Sequence, residues 1–254
     1  MTANKLSKRW QLAHVNEQDF WKNETTESLL DYSKKHYQRK TDILLKRFSH
    51  HIKLNDKTKF LQVGCGPADV INCIKIGEKH SIDPLADFCK SKFKLNYEDT
   101  HLIQGVGENL PYKDNYFDII IFSNVLDHTD NPKKVLSEIN RVLKPNGILY
   151  FESHFHQKGF LLLADAYGFF KKTLTGKIFN PCHPHMFQFK DLKQLVSSKF
   201  EIVFEKIAED IEKEIKNLKE LREFRKNQKI TIKIPAIFSL VGGINYTCIC
   251  KKKT

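Results

Sequence analysis

From about residue 59 the chain alternates short apolar runs with stretches of helical spacing. Lys59-Phe60-Leu61-Gln62-Val63 reads as a strand that ends at Gly64. Lys79-His80-Ser81-Ile82 is a second, ending at Asp83, and His101-Leu102-Ile103 a third. The fourth, Phe117-Asp118-Ile119-Ile120-Ile121-Phe122, is nearly all apolar, which suits a strand buried on both faces of a parallel sheet. Asp130 or Asn131 can cap the next helix, with Pro132 in its first turn. Val135, Leu136, Ile139, Val142 and Leu143 then keep helical spacing. Pro145-Asn146-Gly147 turns into a fifth strand over 148–152. Strands alternating with helices imply crossovers and a doubly wound sheet.

The flanks follow other patterns. Residues 26–48 predict a helix with Thr26 as N-cap and Leu29, Leu30, Ser33, Tyr37, Leu44 and Phe48 near one face. Before it, Trp10, Phe20 and Trp21 need a surface to cover, on the domain or over a ligand. Residues 157–187 break the strand–helix rhythm. Phe160 to Phe170 is apolar and aromatic, followed by Lys171 and Lys172. It reads as a lid or substrate wall, a membrane-surface helix, or a helix packed on the core. A helix over 189–199 and a strand over 200–207 follow. A charged helix over 210–226 carries Ile211, Ile215, Leu218, Leu221 and Phe224 as a stripe expected to dock on the domain. A closing strand over 245–250 puts Tyr246, Cys248 and Cys250 on one face as packing residues.

Composition narrows the class. At 254 residues and 41% apolar, the chain fits one globular α/β domain rather than disorder. No run is long enough for a membrane span, and the start has no signal-type apolar segment. The six cysteines have no framework spacing, so reduced thiols and a cytoplasmic location are expected. The formal net charge is +12, which attracts phosphate-rich partners. The lysines are spread along the chain, which favours a general bias, and Lys251-Lys252-Lys253 reads as a solvated tail.

The central chemical feature is Val63-Gly64-Cys65-Gly66-Pro67 directly after a strand. Glycines there let the backbone turn and approach a ligand at the carboxyl edge of the sheet. The dehydrogenase fingerprint needs a third glycine at position 69, where Asp69 stands. A carboxylate there argues against a pyrophosphate and fits a cofactor without phosphates. Asp83, ending the next strand, can accept hydrogen bonds from two ribose hydroxyls, or can be a turn aspartate before Pro84. With the glycine turn beside it, ribose binding is the better reading.

These pieces, with Gly105-Val106-Gly107-Glu108-Asn109-Leu110-Pro111, Phe117-Asp118, Ser123-Asn124-Val125-Leu126-Asp127-His128 and Glu138 to Gly147, resemble the class I methyltransferases of the methyltransferase domain 11 type. The resemblance runs over about 58–153, in order and at the expected intervals. It implies a Rossmann-like doubly wound α/β fold: a mostly parallel seven-stranded sheet, helices on both faces, an antiparallel last strand. It divides the chain into a helical cap (1–50), a cofactor-binding core (58–153), a substrate or lid insertion (154–187) and the rest of the sheet (188–254). The implied cofactor is S-adenosyl-L-methionine. Val63 would be among the cofactor-binding residues, Gly64, Cys65 and Gly66 would lie under the methionine part, Asp83 would hold the ribose, and Pro84 would lie near the adenine. Gly107 and Glu108 would border the adenine, their backbone supplying donors, Ser123 and Asn124 would flank the sulfonium and amino acid end, and His128 would close the pocket. The chain departs from the family's pattern at Gln62, usually acidic, at Ala68, often glycine, and at Val106, often an aspartate.

Methyl transfer from a sulfonium needs alignment and exclusion of water, and a base where the acceptor is an oxygen or nitrogen. His154 is the first candidate base and His185 the second, with His128, His156 and His183 also in reach of the sheet edge. The two His-x-His pairs plus Cys182 match no metal-finger spacing, so no metal is expected. The leading expectation is a methyltransferase acting on a small molecule or glycan precursor. An RNA or DNA methyltransferase is the alternative that the charge suggests, and an inactive scaffold is the one that Gln62 and Val106 suggest.

Overall fold

The computed structural model describes residues 6–93, 99–156, 158–207 and 243–253. Strand β4 (Phe117–Ser123) lies at the centre of the sheet, which explains its apolar run. Ile119 and Ile121 face one core cluster, and Ile120 and Phe122 the other. Around it stand β1 (Lys59–Val63), β2 (Glu78–Asp83), β3 (His101–Gln104), β5 (Leu143–Phe155), β6 (Phe200–Ile207) and β7 (Ile244–Lys252). The order is β3-β2-β1-β4-β5-β7-β6. The first five strands pair in parallel, and β7 runs antiparallel to both its neighbours. This is the seven-stranded doubly wound α/β sheet that the sequence predicts.

Helices cover both faces. α6 (Pro132–Val142) and α8 (Phe189–Ser197) bring Val135, Leu136, Ile139, Leu192 and Val196 onto one face. α3 (Gln38–Ser49) and α4 (Val70–Cys73) bring Leu44, Phe48, Val70 and Ile71 onto the other. Burying each large aliphatic side chain stabilises the fold by about 1.5–3 kcal/mol. α6 begins as expected: Asn131 accepts from the Lys134 N–H, and Pro132 occupies the first turn. α1 (Lys8–Lys22), α2 (Thr26–Tyr32), α5 (Ala86–Phe93) and α7 (Lys158–Thr175) complete the set.

Several sequence expectations need correction. The helix over 26–48 is interrupted by a π-helical turn at Ser33–Tyr37. Its N-cap is Thr25, whose hydroxyl accepts from the Ser28 N–H. The hydroxyl of Thr26 instead donates to the Phe93 carbonyl at 3.0 Å. Leu30 is exposed, while Leu29 beside it packs against Leu85, Cys89 and Phe93. β5 runs beyond 148–152, because β7 pairs with it as far as Phe155. α8 ends at Ser197 rather than 199. The lysine tail is partly structured: Lys251 and Lys252 belong to β7, and Lys252 donates to Asn115 and to the Leu143 carbonyl. Cys248 and Cys250 are buried beside Tyr246 in one core cluster, as expected, and all six thiols are free. The stripe Ile211, Ile215, Leu218, Leu221 and Phe224 lies outside the described residues. No helix among the described residues is long and apolar enough to cross a membrane.

Candidate functional site

A cavity of about 670 Å³ opens at the carboxyl ends of β1, β2, β4 and β5, within the size range of small-molecule sites. Its floor begins with the turn after β1. Gly64 has φ +71°, and a Cβ there would stand 2.5 Å from both methyls of Val125. Only glycine fits. Gly66 has φ +53° and donates its N–H to Asp83 Oδ2 at 2.8 Å. The Leu85 N–H donates to Asp83 Oδ1 at 2.7 Å. Backbone donors thus hold both carboxylate oxygens, yet each oxygen keeps a further lone pair for a ligand hydroxyl. Burial pushes the Asp83 carboxyl up to about 6, against the pull of these two N–H groups.

Gln62 is completely buried at the end of β1. Its Oε1 accepts the Ile71 N–H at 3.0 Å, and its Nε2 donates to Asp69 Oδ2. Asp69 caps α4 by accepting the Val70 N–H. A carboxylate, that of Asp69, thus stands against Gln62 at the cavity floor. Burial raises Asp69 to about 6 although Lys40 lies near enough to oppose it.

Lys40, from α3, reaches across the floor. Its Nζ donates to Glu152 at 2.5 Å and to Ser123 Oγ at 3.1 Å. Ser123, at the end of β4, also donates to Glu152 at 2.5 Å, and Tyr150 and Asn245 donate to the same carboxylate. Burial disfavours the charge on Glu152, but Lys40 and the hydroxyls of Ser123 and Tyr150 together outweigh it and hold the pKa below its ordinary value. Asn124 then turns the chain in the left-handed region at φ +55°, which asparagine tolerates.

The opposite wall comes from α1 and the return loop after α7. Trp10, Phe20 and Trp21 all line the cavity, so the N-terminal aromatics do cover the site. Arg9 ties this wall together by donating to the carbonyls of Asn180, Pro181 and His183 at 2.6–2.8 Å. The 3-10 turn Leu126–His128 meets the loop from below. Asp127 Oδ2 lies 2.8 Å from His183 Nδ1, and His128 Nδ1 lies 3.5 Å from Glu17 Oε2. Burial lowers His128, but Glu17 and Asp127 outweigh it, and the net shift is upward. Burial raises Asp127, and its histidine neighbours bring it below its ordinary value. Ligand atoms of Asp127, His128 and His183 lie within 4.8 Å of one another, a spacing that could hold a metal ion.

The structure brings Val63, Gly64, Cys65, Gly66, Asp83, Pro84, Gly107, Glu108, Ser123, Asn124, His128 and His154 to one cavity. Two of their side chains have partners of their own. The thiol of Cys65 packs with Ala86 and Leu102, and burial drives its pKa well above the ordinary value. Glu108 Oε1 accepts the N–H groups of Asp130 and Asn131, at 2.7 and 3.0 Å. His185 does not line the cavity. Its backbone N–H donates to the Asp127 carbonyl and its ring stacks on Phe187. His183, two residues earlier, takes the lining position. Sequence reasoning missed Lys40, Glu152, Asp69 as a charge donor, and Glu17. Glu152 did carry a signal: a carboxylate in a strand covered on both faces needs a cation.

Residues 61–151 match the family described as a methyltransferase domain. The thiol S-methyltransferase TMT1B of Rattus norvegicus is 34% identical over 107 residues, which are 39% of this chain and 44% of that protein. The demethylmenaquinone methyltransferase of Staphylococcus haemolyticus is 34% identical over 106 residues, again 39% and 44%. The chain thus spans less than half the length of these curated relatives. Phosphoethanolamine N-methyltransferase 2 of Haemonchus contortus, solved with phosphomonomethylethanolamine and S-adenosylhomocysteine, superposes with a TM-score of 0.56 at 13% identity. That match covers 85% of this chain and 52% of the other, and it speaks for the fold. The matched stretch runs from β1 into β5 and includes turns that wall the cavity, and over it the chain is similar to the methyltransferases of this family.

Proposed function

We propose that the chain is an S-adenosylmethionine-dependent methyltransferase acting on a small molecule or glycan precursor. The observation that carries this is Asp83: a buried carboxylate, held by the N–H groups of the glycine turn, with lone pairs left for a ribose. The residues present fit the cofactor. Gly66 keeps the turn bare where a Cβ would stand 3.6 Å from Trp21 across the cavity, and the floor sets Asp69 and Glu152 around Lys40. That mixture of charges suits a zwitterionic amino acid end beside a cation. The Asp69–Gln62 pair also weighs against an inactive scaffold, since it restores a carboxylate where Gln62 removes one. The names of the relatives, a thiol and a demethylmenaquinone methyltransferase, favour a small acceptor.

When bound, the cofactor supplies a methyl group on a sulfonium, already activated for displacement. The protein aligns the acceptor and shuts out water with Trp10, Phe20 and Trp21. For an oxygen or nitrogen acceptor, His183 is placed to take the proton. Asp127 at 2.8 Å from Nδ1 fixes the ring so that Nε2 is the accepting atom. His154, the first expectation, lines the same cavity and is the second candidate.

Titration calorimetry with S-adenosylmethionine and its demethylated product tests the reading. Wild type binds both, and Asp83→Ala loses both. A folded wild type that binds neither ligand sinks it.

A further inference from the structure

Helix α7 (Lys158–Thr175) turns its apolar side away from the protein. Ala164 is its one buried residue. Leu162, Leu163, Tyr167, Phe169, Phe170 and Leu174 are each between 56 and 80% exposed. At 3.6 residues per turn these six fall within a single arc of roughly 160°. Lysines mark both edges of that arc: Lys158 and Lys172 on one side, Lys171 on the other. Asp165 is the one acidic residue of the helix, and Lys177 follows just beyond its end. A core helix has the reverse arrangement, with lysines outermost.

The chemistry of this face selects its occupant. A broad apolar surface with no charge inside it, rimmed by lysines, matches a helix lying in the boundary between lipid headgroups and acyl chains. Lysine stems can run along the apolar surface and raise their ammonium groups to the headgroups. A second copy fits poorly, because it would bring the lysine rims together on chains already at +12. An anionic surface has the complementary charge.

We propose that α7 docks this chain on an anionic lipid surface, with its apolar arc inserted and Lys158, Lys171 and Lys172 at the headgroups. The helix is bracketed in the chain by residues of the cavity wall, His154 before it and Cys182 and His183 after it. Docking therefore brings the wall reading as the acceptor side next to the lipid. That last consequence rests on the proposed methyltransferase reading, whereas the docking itself does not.

The test is co-sedimentation of the full chain with two kinds of vesicle, phosphatidylcholine alone and phosphatidylcholine mixed with phosphatidylserine, without cofactor. Wild type is expected to bind the mixed vesicles and to release in high salt. Leu163→Glu combined with Phe170→Glu lowers the bound fraction about tenfold or more. Lys171→Glu combined with Lys172→Glu lowers binding to mixed vesicles about tenfold. Unchanged melting temperatures show that both variants fold. A Phe170→Trp variant should emit as an exposed indole in solution and shift to the blue on mixed vesicles. Absence of wild-type binding, or binding that survives both variants, overturns the proposal. So does an emission from the Phe170→Trp variant that is already blue without vesicles, which would mean that another part of the chain or a second copy covers the face. Sedimentation velocity then separates those two. Vesicle binding without cofactor binding would leave the docking standing and remove the enzyme reading.

Discussion

The two walls of the cavity are built on different principles. The strand-end wall is made of backbone: Gly64 and Gly66 at positive φ, and N–H groups holding Asp83. Its groups cannot move without unpicking the sheet. The wall from α1 and the return loop is made of side chains reaching across long sequence separations: Arg9 to the carbonyls at 180, 181 and 183, Glu17 to His128, Asp127 to His183. The lesson is a division of labour. A constant ligand is held best by rigid backbone, and a variable acceptor by side chains that can be exchanged without rebuilding the core.

Substitutions at the strand-end wall should therefore hit binding and stability together, and the largest effect belongs to Gly64→Val. A β-branched residue at φ +71° is strained, and its Cβ meets Val125. Strain and overpacking together cost about 3 kcal/mol. Cofactor binding should vanish in calorimetry, with the melting temperature down by roughly 10 °C. By contrast Gly159, at the start of α7, has nothing within 4 Å of an added Cβ, and Gly159→Ala should melt with wild type. A Gly64→Val protein that still binds would refute the backbone account.

Next in size is His183→Ala. Turnover of an oxygen or nitrogen acceptor should fall about 10²–10⁴-fold, while calorimetry of the cofactor stays near wild type. Asp127→Asn should lower turnover less and displace its pH profile, since it acts through the ring of His183. If both constants fall together, His183 belongs to the cofactor wall and the comparison fails.

The pH dependence sharpens the same contrast. Asp83 and Asp69 are both raised to about 6, so both take up protons as the pH falls through 6. The ionised form is the one that accepts from a ribose or faces a cation. Cofactor affinity should thus be full above pH 7 and weaken below 6, by up to about tenfold per unit for each group. Affinity that stays level between pH 7.5 and 5 would contradict this. The smallest effect is that of Arg9→Ala, which frees the return loop. Acceptor KM should rise by about three- to tenfold, with cofactor affinity unaltered. A matching loss of cofactor affinity would mean that the two walls are not independent.

Much of the strand-end wall was legible in the sequence. Val63 to Gly66, Asp83 and Ser123-Asn124 each stand where an apolar strand stops, and a strand's end in a parallel sheet is the ligand edge. The proposed base was not legible. His183 and His185 are two residues apart, and only the path of the return loop decides that His183 meets Asp127 while His185 stacks on Phe187. Lys40 was hidden for a similar reason. It flanks the buried stripe of Thr41, Leu44 and Phe48, and its partner Glu152 is 112 residues away.

By itself the sequence determined the period of each segment, hence the doubly wound sheet, and the turn chemistry of Gly64 and Asp83. Those are local properties: side-chain alternation, backbone freedom and the ends of apolar runs act within a few residues. Tertiary structure alone decided the charge pairing of Lys40 with Glu152, the hydrogen bond that sets the Asp69 carboxylate against Gln62, and the outward turn of α7's apolar face. Each depends on which distant groups share a low-dielectric space or leave a surface bare, and no local pattern carries that information.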